Sequence, residues 1–225
     1  MDVKKLLAER PAAYAADGNG AEPGFCTVRA DVTDVRGGIP AAGDFAYCPN
    51  ASGKQHPPPR VGCGMCHRPF RLSVIGDAPE RRGVLFDQIP PQIMQESVAR
   101  MGLQDRAEVL QGNFLTDPVG VGYDLILAVS IMLFAKGNME ALLKKFYNAL
   151  NPGGVLLIIS EGIAPDFSEP WDMVTGYLPY YLNGMDMGVK KGEVPEAARK
   201  AGFTKVETRV ETLCSGVQEI HVIRK

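Results

Sequence analysis

An aspartate, Asp87, closes the compact apolar run GVLFD (83–87), and Asn113 closes the next such run, AEVLQGN (107–113), with Phe114 directly behind it. A carboxylate at a strand end can accept both hydroxyls of a ribose, because two acceptor oxygens match a vicinal diol. An amide can hydrogen-bond a purine edge, and an aromatic ring can cover its face. Each residue also has a plainer reading. Asp87 could be a loop acid capping the helix near Pro91, Asn113 an ordinary turn and Phe114 a core side chain. Two such sites at successive strand ends weigh more than either alone.

A second cluster, Cys63-Gly-Met-Cys66-His67, has the spacing of a c-type haem attachment. With Cys26 or Cys48 the two thiols could instead start a zinc site. A second C-x-x-C is missing, and haem attachment needs export, whereas MDVKKLLAER is followed by no apolar segment. The expectation is therefore a chance cluster and no metal. His56 beside PPP reads as loop and Cys214 as a turn thiol. His221 in EIHVI reads as an exposed or hydrogen-bonded strand histidine.

These residues sit in a pattern of strands and helices. GVLFD precedes a helix over 91–101, with Pro91 in its first turn and Gly102 past its end. AEVLQGN and YDLILAVS (123–130) follow as strands, then a helix over 138–150 with Asn138 as N-cap and Leu142, Leu143, Phe146 and Leu150 on one face. NPGG (151–154) stops that helix before the strand VLLIIS (155–160). An aromatic-rich helix (168–186), a helix over 192–203 ended by Gly202, and two alternating strands (204–213 and 217–225) complete the chain. The spacing predicts an α/β fold with a Rossmann-like, mostly parallel sheet and an antiparallel C-terminal edge hairpin. Ligands of such sheets bind beyond the carboxyl ends of the strands.

Upstream the character changes. Nine of the seventeen prolines fall in residues 1–82 and four of the five cysteines between Cys26 and Cys66. Residues 1–15 suggest a short amphipathic helix and FRLSVIG (70–76) a short strand, but NASGKQHPPPRVGCG has no periodicity. The expected division is an irregular, disordered or rearranged segment over 1–81 and a folded domain over 82–225. A net charge of −2 argues for neither nucleic acid nor a membrane surface. The longest apolar run, around 125–135, is about half a membrane span. A cytoplasmic protein is expected.

Taken together, GVLFDQIP, AEVLQGNFLTDP, GYDLILAVSIML, LLKKFYNALNPGGVLLIISEG and KGEVPEAARKAGFTKVETR resemble the cofactor domain of class I S-adenosylmethionine-dependent methyltransferases. The likeness is to the O-methyltransferase family that includes plant phenolic, acetylserotonin and hydroxyneurosporene methyltransferases, over about 82–225. The resemblance implies S-adenosylmethionine as cofactor, bound by Asp87, Gln88, Gly112, Asn113, Phe114 and Ser130, with Asp87 at the ribose, Asn113 and Phe114 at the adenine and Ser130 approaching the methionine end. It implies methyl transfer to a small-molecule acceptor, most simply a hydroxyl oxygen, entering near Trp171, Tyr177 and Tyr181; Met173, Met185 and Met187 could join them. A homodimer would fit. Three features depart from that pattern: no D-x-G-x-G loop precedes Asp87, its nearest echo being DVRGGIPAAG with Gly37, Gly38 and Gly43; Leu133 stands where the general-base histidine would fall; and residues 1–80 supply no N-terminal helical domain. No catalytic base is assigned. The rival readings are a catalytically silent or binding module, a nicotinamide oxidoreductase without its G-x-G-x-x-G, and a metal module at Cys63–His67.

Overall fold

The computed structural model describes residues 60–64, 75, 79–213 and 216–225. Seven strands form one sheet in the order β3-β2-β1-β4-β5-β7-β6. They are β1 (Arg60–Gly64), β2 (Arg82–Asp87), β3 (Ala107–Gln111), β4 (Tyr123–Val129), β5 (Leu150–Ser160), β6 (Lys205–Leu213) and β7 (Gly216–Arg224). Pairing from β3 through to β5 is parallel, and β7 runs antiparallel to both β5 and β6. The helices are α1 (Pro91–Arg100), α2 (Met139–Ala149), α3 (Trp171–Leu182) and α4 (Glu193–Ala201), with a 3-10 turn at Met132–Ala135. The α/β class, the parallel sheet and the antiparallel edge hairpin are as expected.

The central strands are apolar on both faces because both are covered. Val84, Leu85, Phe86, Ile126, Leu127 and Ala128 are all buried. On one face α2 lays down Leu142, Leu143, Phe146 and Ala149, and α4 adds Val194, Ala197, Ala198 and Ala201. Burial of one such large aliphatic or aromatic side chain is worth about 1.5–3 kcal/mol. Met94, Val98 and Leu103 cover the other face against Leu85 and Leu127. Gly202 ends α4 at φ 104°, a left-handed conformation that glycine adopts without penalty.

The structure corrects the sequence reading in four places. The sheet takes in Arg60–Gly64, upstream of the start expected at residue 82, and places that strand centrally between β2 and β4. RVGCG holds one aliphatic residue and two glycines, and glycine is depleted in strands, so hydropathy gave no sign of it. Of FRLSVIG only Ile75 is among the described residues, and it is helical and fully buried where a strand was expected. It falls between β1 and β2, where a parallel pair needs a crossover, and a short apolar run reads alike as strand or buried helix. The NPGG stretch lies within β5, which starts at Leu150 and bulges between the pairs Tyr123↔Leu150 and Leu125↔Val155. Asn138 flanks α2 but makes no side-chain cap.

The helix expected over 1–15, Cys26, Gly37, Gly38, Gly43, Cys48, His56, Cys66, His67 and Cys214 lie outside the described residues. Among the described residues no helix is long and apolar enough to cross a membrane.

Candidate active site

The order of the sheet reverses at β1: β2 and β3 lie to one side, β4 and β5 to the other. A crevice at the carboxyl ends of β1 and β4 follows, the place where open α/β sheets take ligands. Gly62 and Gly64 put two residues without side chains at the end of β1. Ser130, which follows β4, stands at φ 53° with its N–H bonded to the Ile159 carbonyl at 3.0 Å. A serine held at positive φ costs free energy, and such conformations concentrate at functional sites.

Asp87 ends β2 and is 4% exposed. Its Oδ1 accepts the Gln88 amide at 2.7 Å and the Ile89 amide at 3.4 Å, which fixes the carboxylate at the strand end. The Gln88 carbonyl takes the Gln111 side-chain amide at 3.4 Å, and the Asp87 carbonyl takes the Gly112 N–H at 2.9 Å. The loops after β2 and β3 are thereby tied together. Gly112 has no substitute here, since a Cβ would lie 2.6 Å from Cζ of the buried Phe86 ring.

Asn113 opens a tight turn. Its Oδ1 accepts the Leu115 amide at 2.9 Å, and its own N–H donates to Asp117 Oδ2 at 2.8 Å. That bond, with the Thr116 hydroxyl, holds the exposed Asp117 carboxyl below the usual carboxylate range. Phe114 is 3% exposed and meets Phe134 edge-on, with centroids 6.3 Å apart. The turn is secured from α2 by Lys145, whose Nζ donates to the carbonyls of Phe114, Leu115 and Asp117 at 2.9, 2.9 and 3.0 Å. Replacing Lys145 by Met strands three carbonyls and is expected to lower stability by about 1–3 kcal/mol in urea unfolding, whereas Lys145→Arg retains part of it.

A second group gathers at the end of β5. Glu161 is 2% exposed, and its Oε1 accepts the Tyr177 hydroxyl at 2.8 Å. Tyr177 and Tyr181, four apart on α3, share a face. Tyr181 packs edge-on to Phe167 at 4.9 Å, and Lys190 Nζ lies 3.3 Å from the Phe167 centroid and 3.2 Å from the Tyr181 hydroxyl. Burial, then the neighbouring Asp186, pushes the Tyr181 phenol up to about 12. Lys136, after the 3-10 turn, pairs with Asp186 at 2.8 Å, and Lys190 reaches the same carboxylate at 3.7 Å.

Trp171 does not join this group. Six residues before Tyr177, it is rotated about 240° around the helix from it. Met173 is buried beside Ile163 and Val174, and Met185 is exposed. Leu133 packs half-buried against the core, so no base stands in that turn. His221 is fully buried, with Nε2 3.0 Å from Ser160 Oγ and Nδ1 2.9 Å from Thr208 Oγ1; the hydrogen-bonded reading holds and the exposed one does not. A shallow hollow of about 310 Å³ along Arg82 and Gln104–Glu108 lies at the amino ends of β2 and β3, the wrong end for this chemistry. Among the described residues no three His, Cys, Asp or Glu side chains gather to hold a metal. Sequence reasoning passed over Glu161 and Lys145. Glu161 had left the same sign as Asp87, an acid ending an apolar strand; Lys145 left none.

No family profile matches the chain. Demethylspheroidene O-methyltransferase of Rhodobacter capsulatus is 37% identical over 98 residues, 42% of this chain and 24% of that protein. L-tyrosine C(3)-methyltransferase of Streptomyces lavendulae is 36% identical over 77 residues, 33% of this chain and 21% of that protein. The chain thus spans about a quarter or less of the length of these relatives. Among solved structures, a putative O-methyltransferase of Nostoc punctiforme superposes with a TM-score of 0.63 at 20% identity, over 76% of this chain and 53% of that one. Human N-acetylserotonin methyltransferase, solved in complex with SAM, superposes with a TM-score of 0.52 at 19% identity, over 73% of this chain and 47% of that one. Over the C-terminal region the relatives point to the S-adenosylmethionine-dependent methyltransferases, and the solved structures show that this chain has the fold of the O-methyltransferases.

Proposed function

We propose that the protein binds S-adenosylmethionine at the carboxyl ends of β1–β4 and transfers its methyl group to a small-molecule acceptor, at a hydroxyl oxygen. The observation that carries this is Asp87: a buried carboxylate, pinned by two amides at the end of β2, beside a β1 that ends in Gly-Cys-Gly. The residues fit the cofactor. A carboxylate at a strand end matches a ribose diol, two acceptor oxygens against two hydroxyls. Gln88 flanks it. The glycines of β1 let the backbone approach closely. Gly112 keeps the turn of Asn113 against Phe86, and Asn113 offers a purine edge its NH2 and the remaining lone pair of Oδ1. Phe114 backs that turn from the core, and Ser130 lies at the methionine end. Bound there, the cofactor supplies an electrophilic methyl group on a sulfonium sulfur.

The acceptor side is the wall of Tyr177, Tyr181 and Phe167 around Glu161. Holding the acceptor oxygen in line with the methyl carbon lowers much of the barrier by itself. The two relatives carry oxygen and carbon methylation in their names, and we assign the hydroxyl as acceptor. Calorimetric titration of S-adenosylhomocysteine into the purified chain and an Asp87→Ala variant tests the reading. Micromolar binding weakened at least about 30-fold by the substitution, or about 2 kcal/mol, is the expected result. No heat at millimolar ligand in the parent protein would leave a methyltransferase fold without the reaction.

A further inference from the structure

Resting on the methyl-transfer reading, we propose that Glu161 is the general base that takes the proton of the acceptor's hydroxyl, with Tyr177 holding its carboxyl in position. Ser130 and Glu161 close neighbouring strands: the Ser130 N–H bonds to Ile159, two residues before Glu161. Glu161 is therefore beside the methionine end of the site and at the foot of the aromatic wall. One of its oxygens takes the Tyr177 hydroxyl; the other, Oε2, is buried with no hydrogen-bond partner. An unsatisfied buried carboxylate oxygen is costly, and folded proteins keep few of them.

The surrounding charges do not relieve it. From α3 it meets the phenols of Tyr177 and Tyr181; from the 3-10 turn side comes Lys136, and from the loop after α3 Asp186 and Lys190. Both lysines pair with Asp186, and no hydrogen bond runs from either to Glu161 Oε2. Burial raises the Glu161 carboxyl above the ordinary carboxylate range, more than the Tyr177 hydrogen bond, the Val189 amide and Lys136 lower it. A raised carboxyl is a stronger base, closer to the working pH. Leu133 is apolar and both nitrogens of His221 are engaged by hydroxyls, so neither competes for the role. The other buried carboxyl here, Glu219 on β7 opposite Ser160, is also raised by burial and lies 3.7 Å from His221 Nε2. In the step, the acceptor's O–H bond breaks and its proton passes to Glu161 Oε2. The oxygen's electron pair forms the new O–CH3 bond, and the S–CH3 bond breaks with its pair left on sulfur, turning the sulfonium into a thioether. The proton then leaves Glu161 for solvent.

The test compares the full chain with Glu161→Gln, Glu161→Asp and Tyr177→Phe. S-adenosylhomocysteine calorimetry comes first: equal binding by parent and Glu161→Gln separates this proposal from the cofactor site, and absent binding in both overturns the methyl-transfer reading. Transfer of a tritiated methyl group to catechol and to 4-hydroxybenzoate is then followed across pH. Expected are a 10²- to 10⁴-fold loss of kcat in Glu161→Gln with the KM for cofactor unchanged, partial rescue by Glu161→Asp, and an acid limb moved to higher pH in Tyr177→Phe. A third readout needs no turnover. Adding catechol to the S-adenosylhomocysteine complex should produce an infrared difference band of a carboxylate newly hydrogen-bonded to a phenol, which Glu161→Gln lacks. Parent-like kcat in Glu161→Gln, or an unmoved acid limb in Tyr177→Phe, overturns the proposal. If neither phenol is methylated, the infrared band decides: its absence overturns the proposal and its presence upholds it.

Discussion

Phe146→Ala is expected to lower unfolding stability by about 3–5 kcal/mol, the range for emptying a well-packed aromatic site. Phe146 is 4% exposed and lies in the cluster shared by β4, β5, α2 and α4. It stands one turn from Leu142 and Leu143 on the buried face, so the hole opens where α2 meets the sheet. The loss would not stop at packing. The next residue back, Lys145, carries the three bonds to the Asn113 turn, so loosening α2 loosens the purine side of the proposed site. Since domains retain only about 5–15 kcal/mol in all, the variant should unfold at markedly lower urea and bind S-adenosylhomocysteine more weakly. A cost under about 1 kcal/mol would mean that α2 does not pack as described.

What could be read in the chain, and what could not, follows from where the signals come from. Strands β2, β4 and β5 announce themselves because both their faces are covered and the hydrophobic effect leaves continuous apolar runs. Asp87 was legible for the same reason, as an acid breaking such a run. Strand β1 was not, because it is placed by backbone pairing with β2 and β4 and two of its five residues are glycine. The nearest echo of a Gly-rich element, DVRGGIPAAG, lies upstream of β1, whereas the fold puts Gly62 and Gly64 at the strand end. The aromatic stretch of α3 gave the helix but not which rings converge: helical rotation brings Tyr177 and Tyr181 together and sets Trp171 aside, and Lys190 and Phe167, remote in any helical pattern, complete the wall. Glu161 shows the limit most clearly. Its position was as legible as that of Asp87, but its orphaned oxygen and its bond to Tyr177 are tertiary facts.

The stability margin of the parent chain over a His221→Gln variant is expected to shrink by about 3 kcal/mol between pH 7 and pH 4. His221 is sealed on β7 between Ser160 and Thr208, and burial lowers its imidazole from 6.5 to about 4. The folded state therefore binds the proton less tightly than the unfolded chain does. Stability from the neutral ring is complete above 6.5 and drains away as pH falls towards 4, by about 1.4 kcal/mol for each tenfold difference in proton affinity. Glu219 lies 3.7 Å from Nε2 and would pair with an imidazolium, but burial raises its own carboxyl, so it becomes neutral over part of the same range. Glu161 and Glu219 work in the opposite sense. Their raised carboxyls add stability as pH falls through the folded-state values, and the parent curve alone would mix the three groups. Subtracting the variant, which keeps both carboxyls and cannot titrate at 221, isolates the histidine. Urea unfolding at several pH values gives the difference directly. A margin that stays constant down to pH 4 would show that Glu219 keeps its charge and holds the imidazolium, making the end of β7 an ion pair instead of a neutral hydrogen-bonded chain.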